Sequence, residues 1–251
     1  MIDTHCHLDE YENVKEIQEK MKDYYMLTSS TNRETNEKNL KIAKQNKNIY
    51  VTVGFHPECV DSITEEDLIW LEKQLKKEKV VAIGEIGLDY YYTKENKEKQ
   101  QEIFKKQIEL AKKYKKTIVV HSREATEDTY NILEELDIKD LKVVLHCYSS
   151  SAEMAKKFLK FNMMFGISGV VTFKNGAKLR KVVEEIDLKY LLLETDSPYL
   201  SPEPNRGKIN EPYNIYFVAM KIAEIKKIPL KTVLKTTLEN AVSQFDLPIN
   251  L

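Results

Sequence analysis

The sequence predicts a (β/α)8 barrel, an α/β fold in which eight parallel strands alternate with eight helices around one axis. Eight short apolar runs alternate with charged segments of helical periodicity. Most of these runs are apolar at nearly every position, as in parallel strands that are covered on both faces. No glycine- or serine-rich linker interrupts the 251 residues, so we expect a single barrel domain over residues 1–251.

The eight predicted strands are rich in β-branched and aromatic residues and are bounded by polar or charged segments. They span residues 1–5, 25–29, 49–53, 81–84, 118–121, 143–146, 163–167 and 191–194. A proline-dense stretch, residues 197–204, follows the last strand. We interpret it as a rigid loop at the barrel mouth, because no change of composition accompanies it.

The helices are predicted from amphipathic periodicity and from their start signals. Residues 31–34 and 150–153 match a capping box, in which a hydroxyl and a carboxylate satisfy free amides at a helix start. Leucines at helical spacing follow Thr64, and an extra C-terminal helix is expected near residues 230–244. An open doubly wound sheet is the alternative architecture, but the strand count and the chain length favour the barrel.

The composition is that of a folded chain in water. Charged residues make up 31% and hydrophobic residues 42% of the sequence, and no apolar run approaches the about 20 residues that a membrane span requires. The 39 basic and 40 acidic residues nearly cancel, so any contact with nucleic acid must be local. The first residues lack the basic and apolar segments of a signal peptide, and the expected location is the cytoplasm.

The three cysteines do not predict a disulfide framework, because their number is small and odd. Cys6 lies between two candidate metal ligands, but strand alternation turns it to the opposite face. We therefore expect reduced thiols and no cysteine ligand.

Side chains of metal-ligating types occur where the predicted strands end. The carboxyl ends of parallel strands meet at one rim of a barrel, so these side chains should converge although they are far apart in sequence. A single histidine is more often a hydrogen-bonded residue than a ligand, but their joint placement favours a metal site. The predicted metal ligands are His5, His7, Glu85, His121, His146 and Asp196.

Six donors exceed the needs of one cation, which usually takes about four protein ligands or fewer. They suit two divalent ions about 3.5–4 Å apart, with a carboxylate as the bridge. We expect Glu85 to bridge the ions. The remaining ligands form a first and a second group, which are His5, His7 and Asp196, and His121 and His146.

Other side chains near this rim are candidates for substrate contact. His56 follows the third predicted strand and is expected to lie beyond the main ligand group. It precedes a proline and either binds a substrate phosphate, supports a ligand from behind or satisfies its own turn. Arg123 and Arg206 can each hold a phosphate oxygen bidentately or form surface salt bridges. The tyrosines at residues 90–92 and Tyr199 can stack on a base or sugar, or pack within their loops.

Taken in order along the chain, seven motifs resemble those of the TatD family of metal-dependent deoxyribonucleases. They are DTHCH at residues 3–7, GFHP at 54–57, GEIGLD at 84–89, HSR at 121–123, HCYS at 146–149, ETDSP at 194–198 and RGKINEP at 206–212. The motifs are specific jointly, since H-x-H alone occurs across the wider amidohydrolase-type barrels. The serines at residues 149–151 depart slightly from the pattern, because relatives commonly carry a glycine there.

The resemblance implies a hydrolase that binds two divalent ions through the six predicted ligands and cleaves DNA phosphodiesters, often from a 3′ end. The expected partner is DNA, as single strands or 3′ ends. Four imidazoles favour zinc or manganese, whereas the resemblance suggests magnesium, which prefers oxygen ligands. In this scheme Asp196 helps to deprotonate the attacking water, Glu85 holds both ions, and Arg123 and Arg206 neutralise phosphoryl oxygens.

Two other functions stay open on the sequence. A hydrolase with the same barrel can act on an ester, lactone or amide, as deacylases do. Such barrels often bridge their ions with a carboxylated lysine, whereas Glu85 takes that position here. The other alternative is a metal-binding adaptor without catalytic activity, and no membrane or obligate protein partner is expected.

Overall fold

The computed structural model describes residues 1–92, 94–161 and 163–249, and it contains eight parallel strands that follow chain order around one sheet. The predicted (β/α)8 barrel is thus confirmed. The strands are β1 Ile2–Cys6, β2 Tyr25–Ser29, β3 Ile49–Val53, β4 Val80–Asp89, β5 Thr117–Arg123, β6 Val143–Leu145, β7 Met163–Ile167 and β8 Leu191–Leu193.

Helices connect successive strands and cover the outside of the barrel, and two more helices follow the last strand. They are α1 Val14–Lys20, α2 Arg33–Lys44, α3 Glu65–Gln74, α4 Lys97–Tyr114, α5 Thr126–Glu135, α6 Ala152–Phe158, α7 Ala177–Glu185, α8 Ile215–Lys226 and α9 Leu230–Phe245. The last of these is the predicted C-terminal helix. Within the described ranges, no helix combines the length and apolar character needed to cross a bilayer.

The N-caps of two helices lie one residue later in the chain than predicted. The Asn32 side chain accepts a hydrogen bond from Thr35 N at 3.0 Å at the start of α2. The Ser151 hydroxyl accepts one from Met154 N at 3.2 Å at the start of α6. The capping boxes predicted at residues 31–34 and 150–153 are therefore wrong, because adjacent polar residues are almost equally good N-caps and a pattern cannot choose between them.

Alternation along the strands sets an apolar layer beneath a polar one inside the barrel. The apolar layer is covered from below by Phe245 of α9 and consists of Ile2, Leu27, Tyr50, Val81, Ala82, Val119, Val144 and Leu192. Two residues further along five of these strands, the same inward face carries Ser29, Thr52, His121, His146 and Glu194. The period of the strands thus delivers polar groups to the mouth.

The barrel closes between β1 and the segment after β8. Asp196 N donates to His5 O at 2.9 Å, and His7 N donates to Ser197 O at 2.8 Å. These backbone hydrogen bonds place Asp196, from the far end of the barrel sequence, beside the two histidines of the first motif.

The side chain of Asp3 stabilises this closure from inside the barrel. Its side chain is fully buried. Oδ1 accepts hydrogen bonds from Thr195 N at 3.0 Å and from His5 N at 3.2 Å. Oδ2 accepts one from the Thr195 hydroxyl at 2.5 Å.

We expect Asp3→Ala to lower the free energy of unfolding by at least about 2 kcal/mol, since each buried donor left without an acceptor costs about 1–3 kcal/mol. Urea unfolding of the metal-free protein measures the change. Asp3→Asn keeps one acceptor oxygen and should lose less. An unfolding midpoint that is the same for Asp3→Ala and the wild type would contradict this role of Asp3.

Candidate metal centre

The six predicted ligands lie together at the carboxyl end of the barrel. Each has a nitrogen or oxygen within 4.0 Å of another member of the set. The donor atoms form three overlapping groups, each with its atoms within 4.8 Å of one another, namely His5, His7 and Asp196; His5, Glu85 and His146; and His56, Glu85 and His121.

Glu85 lies at the centre of this cluster. Its Oε1 is 2.7 Å from His121 Nδ1 and 2.7 Å from His146 Nε2. Its Oε2 is 3.3 Å from His5 Nε2 and 4.0 Å from His7 Nε2. The two oxygens of one carboxylate thus face two different pairs of imidazoles.

An irregularity of β4 aims Glu85 into the mouth. Ile83 pairs with Ile118 of β5, whereas Ile86 pairs with Val120, so β4 advances by three residues where β5 advances by two. The extra residue interrupts the regular alternation, as in a β-bulge that redirects a side chain.

The pKa values of the clustered side chains depend on both burial and the neighbouring charges. Burial by itself raises the pKa of Glu85, but the charges of His146 and His56 and hydrogen bonds from His121 and His146 hold that pKa well below its ordinary value. Burial lowers the pKa of His7, but hydrogen bonding and attraction to Asp196 outweigh it and raise the pKa to about 9. Burial and the charge of His146 lower the pKa of His5 to about 4.

This donor set fits a divalent cation. His5 Nε2 is fully buried and has no hydrogen-bond partner within the part of the chain that the structure describes, and such an atom is costly unless a ligand satisfies it. Imidazole nitrogens and carboxylate oxygens are ligands of zinc and manganese, and carboxylates also suit magnesium.

Buried hydroxyl groups support His5 from the neighbouring strands. Ser29 Oγ lies 3.1 Å from His5 Nδ1, and the Thr52 hydroxyl donates to Ser29 Oγ at 3.0 Å. Sequence reasoning missed both residues, because serine and threonine form no ligand motif. Their inward position on β2 and β3, two residues beyond the apolar layer, was the available signal.

Asp89 supports His121 in a similar way. Its Oδ2 lies 2.9 Å from His121 Nε2, and its Oδ1 accepts hydrogen bonds from Tyr91 N and Tyr92 N at 2.9 and 3.2 Å. Gly87, with φ of 141°, allows β4 to approach the backbone of His121 closely, since a Cβ there would lie 2.0 Å from His121 O. Asp89 ends the GEIGLD motif, and the sequence alone assigns it no role.

His56 lies within the cluster, not beyond it as the sequence had suggested. Its Nε2 is 3.5 Å from Glu85 Oε1. Its Nδ1 accepts a hydrogen bond from Glu58 N at 3.2 Å, so the neutral ring carries its proton on Nε2. His56 therefore both satisfies its own turn and presents an N–H donor to the mouth.

The two candidate arginines occupy different places. The Arg123 guanidinium lies 3.9 Å from the centre of the Tyr91 ring and 4.8 Å from that of Tyr92, and Arg123 lines the cavity above the cluster. Arg206 is exposed and stacks on the Phe173 ring at 3.8 Å, apart from the residues that line the cavity.

The mouth opens into a cavity of about 920 Å³, within the range of small-molecule sites. Tyr92 and Tyr199 line it along with five of the predicted ligands. The Tyr199 ring centre is 6.0 Å from that of His7, and its hydroxyl donates to Glu10 at 2.6 Å. Cys6 contributes nothing here, since it is buried with its thiol 3.5 Å from Leu27 O, in agreement with the predicted packing role.

The sequence model of the family described as TatD related DNase matches residues 2–246. The chain belongs to the TatD family. It is 39% identical to the uncharacterized metal-dependent hydrolase YabD of Bacillus subtilis, over 98% of both chains. It is 35% identical to the uncharacterized metal-dependent hydrolase YcfH of Escherichia coli K12, over 98% of this chain and 95% of YcfH.

The fold agrees with this assignment. The crystal structure of YjjV, a TatD homologue from Escherichia coli, superimposes with a TM-score of 0.92 at 28% identity, over 99% of this chain and 98% of YjjV. This TatD-family protein is therefore an enzyme of the metal-dependent hydrolase class, and the family prediction from the seven motifs is confirmed.

Proposed function

We propose that this TatD-family protein is one hydrolase domain, residues 1–251, that cleaves DNA phosphodiesters from 3′ ends with two divalent ions. One observation carries the proposal. The two oxygens of Glu85 face separate pairs of imidazoles, at 2.7 Å on one side and at 3.3 and 4.0 Å on the other. A carboxylate in this position suits a bridge between two cations.

We assign His5, His7 and Asp196 to one proposed ion and His121 and His146 to the other, although His146 also lies in a donor group with His5 and Glu85. Divalent ions held there would supply Lewis acidity toward a phosphoryl oxygen and would lower the pKa of a bound water. Magnesium, manganese and zinc are the candidates.

Asp196 is the proposed proton acceptor. Its Oδ1 lies 3.3 Å from His7 Nε2, and the side chain lines the cavity. Burial raises its pKa, but the hydrogen bond with His7 and the charge of His146 outweigh burial and hold the pKa below its ordinary value. The ionised carboxylate can therefore orient an attacking water and take its proton at neutral pH.

His56 and Arg123 are the proposed phosphate contacts. The Nε2–H of His56 and the guanidinium of Arg123 both reach the cavity, and both can donate to phosphoryl oxygens as negative charge develops. Arg206 was predicted to contact the same phosphate. We propose instead that it contacts flanking DNA, because it lies outside the cavity lining.

Single-stranded DNA is the proposed substrate form. Tyr91, Tyr92 and Tyr199 expose 55%, 63% and 51% of their surfaces at the mouth, and exposed rings can stack on bases that are free of a duplex. The net charge of -1 means that affinity for DNA depends on such local contacts.

The decisive assay loads purified protein with Mn²⁺ and offers oligonucleotides labelled at either end, single-stranded or duplex, beside a panel of esters, lactones and amides. We expect stepwise release of mononucleotides from the 3′ end of the single strand. Hydrolysis of the panel without DNA cleavage would favour the deacylase alternative. Metal binding without any hydrolysis would favour the adaptor.

Arg123→Met should raise KM for the oligonucleotide about tenfold to a hundredfold, because a hydrogen bond to a charged group contributes about 1.5–3 kcal/mol. Steady-state kinetics on the labelled strand measure the effect. Arg206→Met should raise KM less, since its guanidinium rests on Phe173. An equal or larger effect at Arg206 would contradict the proposed assignment of the two arginines.

A further inference from the structure

Glu194 is a further buried carboxylate beside the candidate metal centre, and it has no part in the proposed reaction. It is fully buried on the inward face beyond β8. Its Oε1 accepts a hydrogen bond from Cys147 N. Its Oε2 has no hydrogen-bond partner among the described residues.

The unpartnered atom of Glu194 has a counterpart on His146. Nδ1 of His146 is also buried without a partner in the described ranges, and it lies 3.7 Å from Glu194 Oε1. The opposite nitrogen of the same ring, Nε2, faces Glu85 Oε1 at 2.7 Å. One buried imidazole thus lies between two carboxylates.

The barrel makes space for Glu194 at a specific place. A Cβ on Gly166 of β7 would lie 2.1 Å from Glu194 Oε2 and 2.4 Å from its Cδ. The inward position of β7 therefore has to lack a side chain if Glu194 is to lie beside His146. Burying a carboxylate costs free energy, so the space beside Gly166 indicates that Glu194 makes an interaction that offsets this cost.

We propose that Glu194 is a positioning residue that accepts a hydrogen bond from Nδ1–H of His146 and thereby presents the unprotonated Nε2 to the cation. The inference rests on the proposed ligand role of His146 but not on DNA as the substrate. A rotation of the Glu194 side chain that brings its Oε1 about 0.5–1 Å closer to His146 Nδ1 makes this hydrogen bond.

The physical reason is the tautomer of imidazole. A neutral ring carries one proton, and an acceptor at Nδ1 holds that proton there, which leaves the Nε2 lone pair free for a metal. His146 also stacks on His5, with ring centres 3.9 Å apart. The ring can therefore turn little, and Glu194 is the acceptor that its Nδ1 faces.

His56 shows the opposite arrangement. Its Nδ1 accepts a hydrogen bond from Glu58 N at 3.2 Å, which places the proton on Nε2 and makes that nitrogen a donor. The group that faces Nδ1 thus determines whether the neutral ring carries its proton on Nε2. It makes His146 suited to bind a cation and His56 suited to bind phosphate.

The first test measures the affinity of the chelator-treated protein for Co²⁺ alone, by competition with a coloured chelator and by the d–d absorption of the bound ion. Glu194→Ala should bind Co²⁺ about tenfold to a hundredfold more weakly, the usual effect of removing a partner behind a ligand. Glu194→Gln, whose amide oxygen can still accept from His146, should fall between Glu194→Ala and the wild type. The absorption spectrum should shift in both variants, which a loss of stability alone does not cause.

The second test reaches the same contact from the other side. Gly166→Ala displaces Glu194 without changing it, and it should weaken Co²⁺ binding as well. The double variant Gly166→Ala/Glu194→Ala should be no weaker than Glu194→Ala, because both changes remove the same interaction. Additive losses would overturn the inference.

A matched control lies on α9, at the far end of β6 from His146. Gln244 is buried, and its Nε2 donates to Val143 O at 2.9 Å at the start of β6. Gln244→Leu should lower stability but leave Co²⁺ affinity and its spectrum unchanged. Folded Glu194→Ala protein, verified by circular dichroism, that binds Co²⁺ with wild-type affinity and spectrum would disprove the role. Wild-type protein that binds no Co²⁺ would overturn the proposed metal centre as well, whereas failure to cleave DNA would leave this inference intact.

Discussion

Glu85→Ala should abolish hydrolysis while the barrel stays folded. Glu85 faces both pairs of imidazoles, at 2.7 Å and at 3.3 to 4.0 Å, so its removal takes away the shared ligand of both proposed ions. We expect a loss of kcat of at least about a hundredfold to a thousandfold, the effect of removing one group that stabilises charge at a reacting centre. Metal content measured by elemental analysis should fall in parallel.

Glu85→Gln separates the charge of this residue from its shape. The amide has nearly the same volume but cannot bridge two cations as an anion, so it should be about as inactive as Glu85→Ala. Circular dichroism and the unfolding transition check that both variants fold, because the apolar layer below the mouth does not involve Glu85. A folded Glu85→Ala protein with unchanged metal content and activity would refute the proposed bridge.

Removal of the metal should both inactivate the protein and lower its stability. A ligand that binds the folded state alone, at about 100 times its Kd, adds about 2.7 kcal/mol to the free energy of unfolding. Without it, buried nitrogens such as His5 Nε2 lack a hydrogen-bond partner among the described residues. Chelator treatment should lower the Tm, and readdition of Mn²⁺ should restore both Tm and activity.

The affinity for the cation should also depend on pH and should fall as the pH is lowered. In the metal-free protein the pKa of His7 and that of His121 are each raised to about 9, because hydrogen bonds and attraction to carboxylates outweigh the effect of burial. A cation must displace these protons, so its affinity should weaken as the pH is lowered from 9. Affinity that is independent of pH between 6 and 9, or a Tm unaffected by chelator, would contradict binding at these side chains.

Much of the fold was predictable because its signals are local and repeated. Eight apolar runs alternated with amphipathic segments, and each run corresponds to an observed strand. The boundaries were less certain. β4 was expected to end at residue 84 but continues to Asp89, since the irregular pairing with β5 lets a strand with two interior glycines extend past the point where its apolar run is interrupted.

The convergence of the six predicted ligands also followed from the sequence, because parallel strands bring their carboxyl ends to one rim. Their mutual distances did not follow. The sequence placed His56 outside the cluster, since it lies three residues beyond β3, but the loop returns its Nε2 to 3.5 Å from Glu85 Oε1.

The sequence by itself determined the barrel, the family and the candidate ligands, because hydrophobic period and motif spacing can be read along the chain. Only the tertiary structure decided which groups stand behind the ligands. Ser29 reaches His5, Asp89 reaches His121 and Glu194 faces His146 across strand boundaries. These contacts depend on register, on an extra residue in β4 and on the empty inward position at Gly166, and such features exist only once the strands are paired.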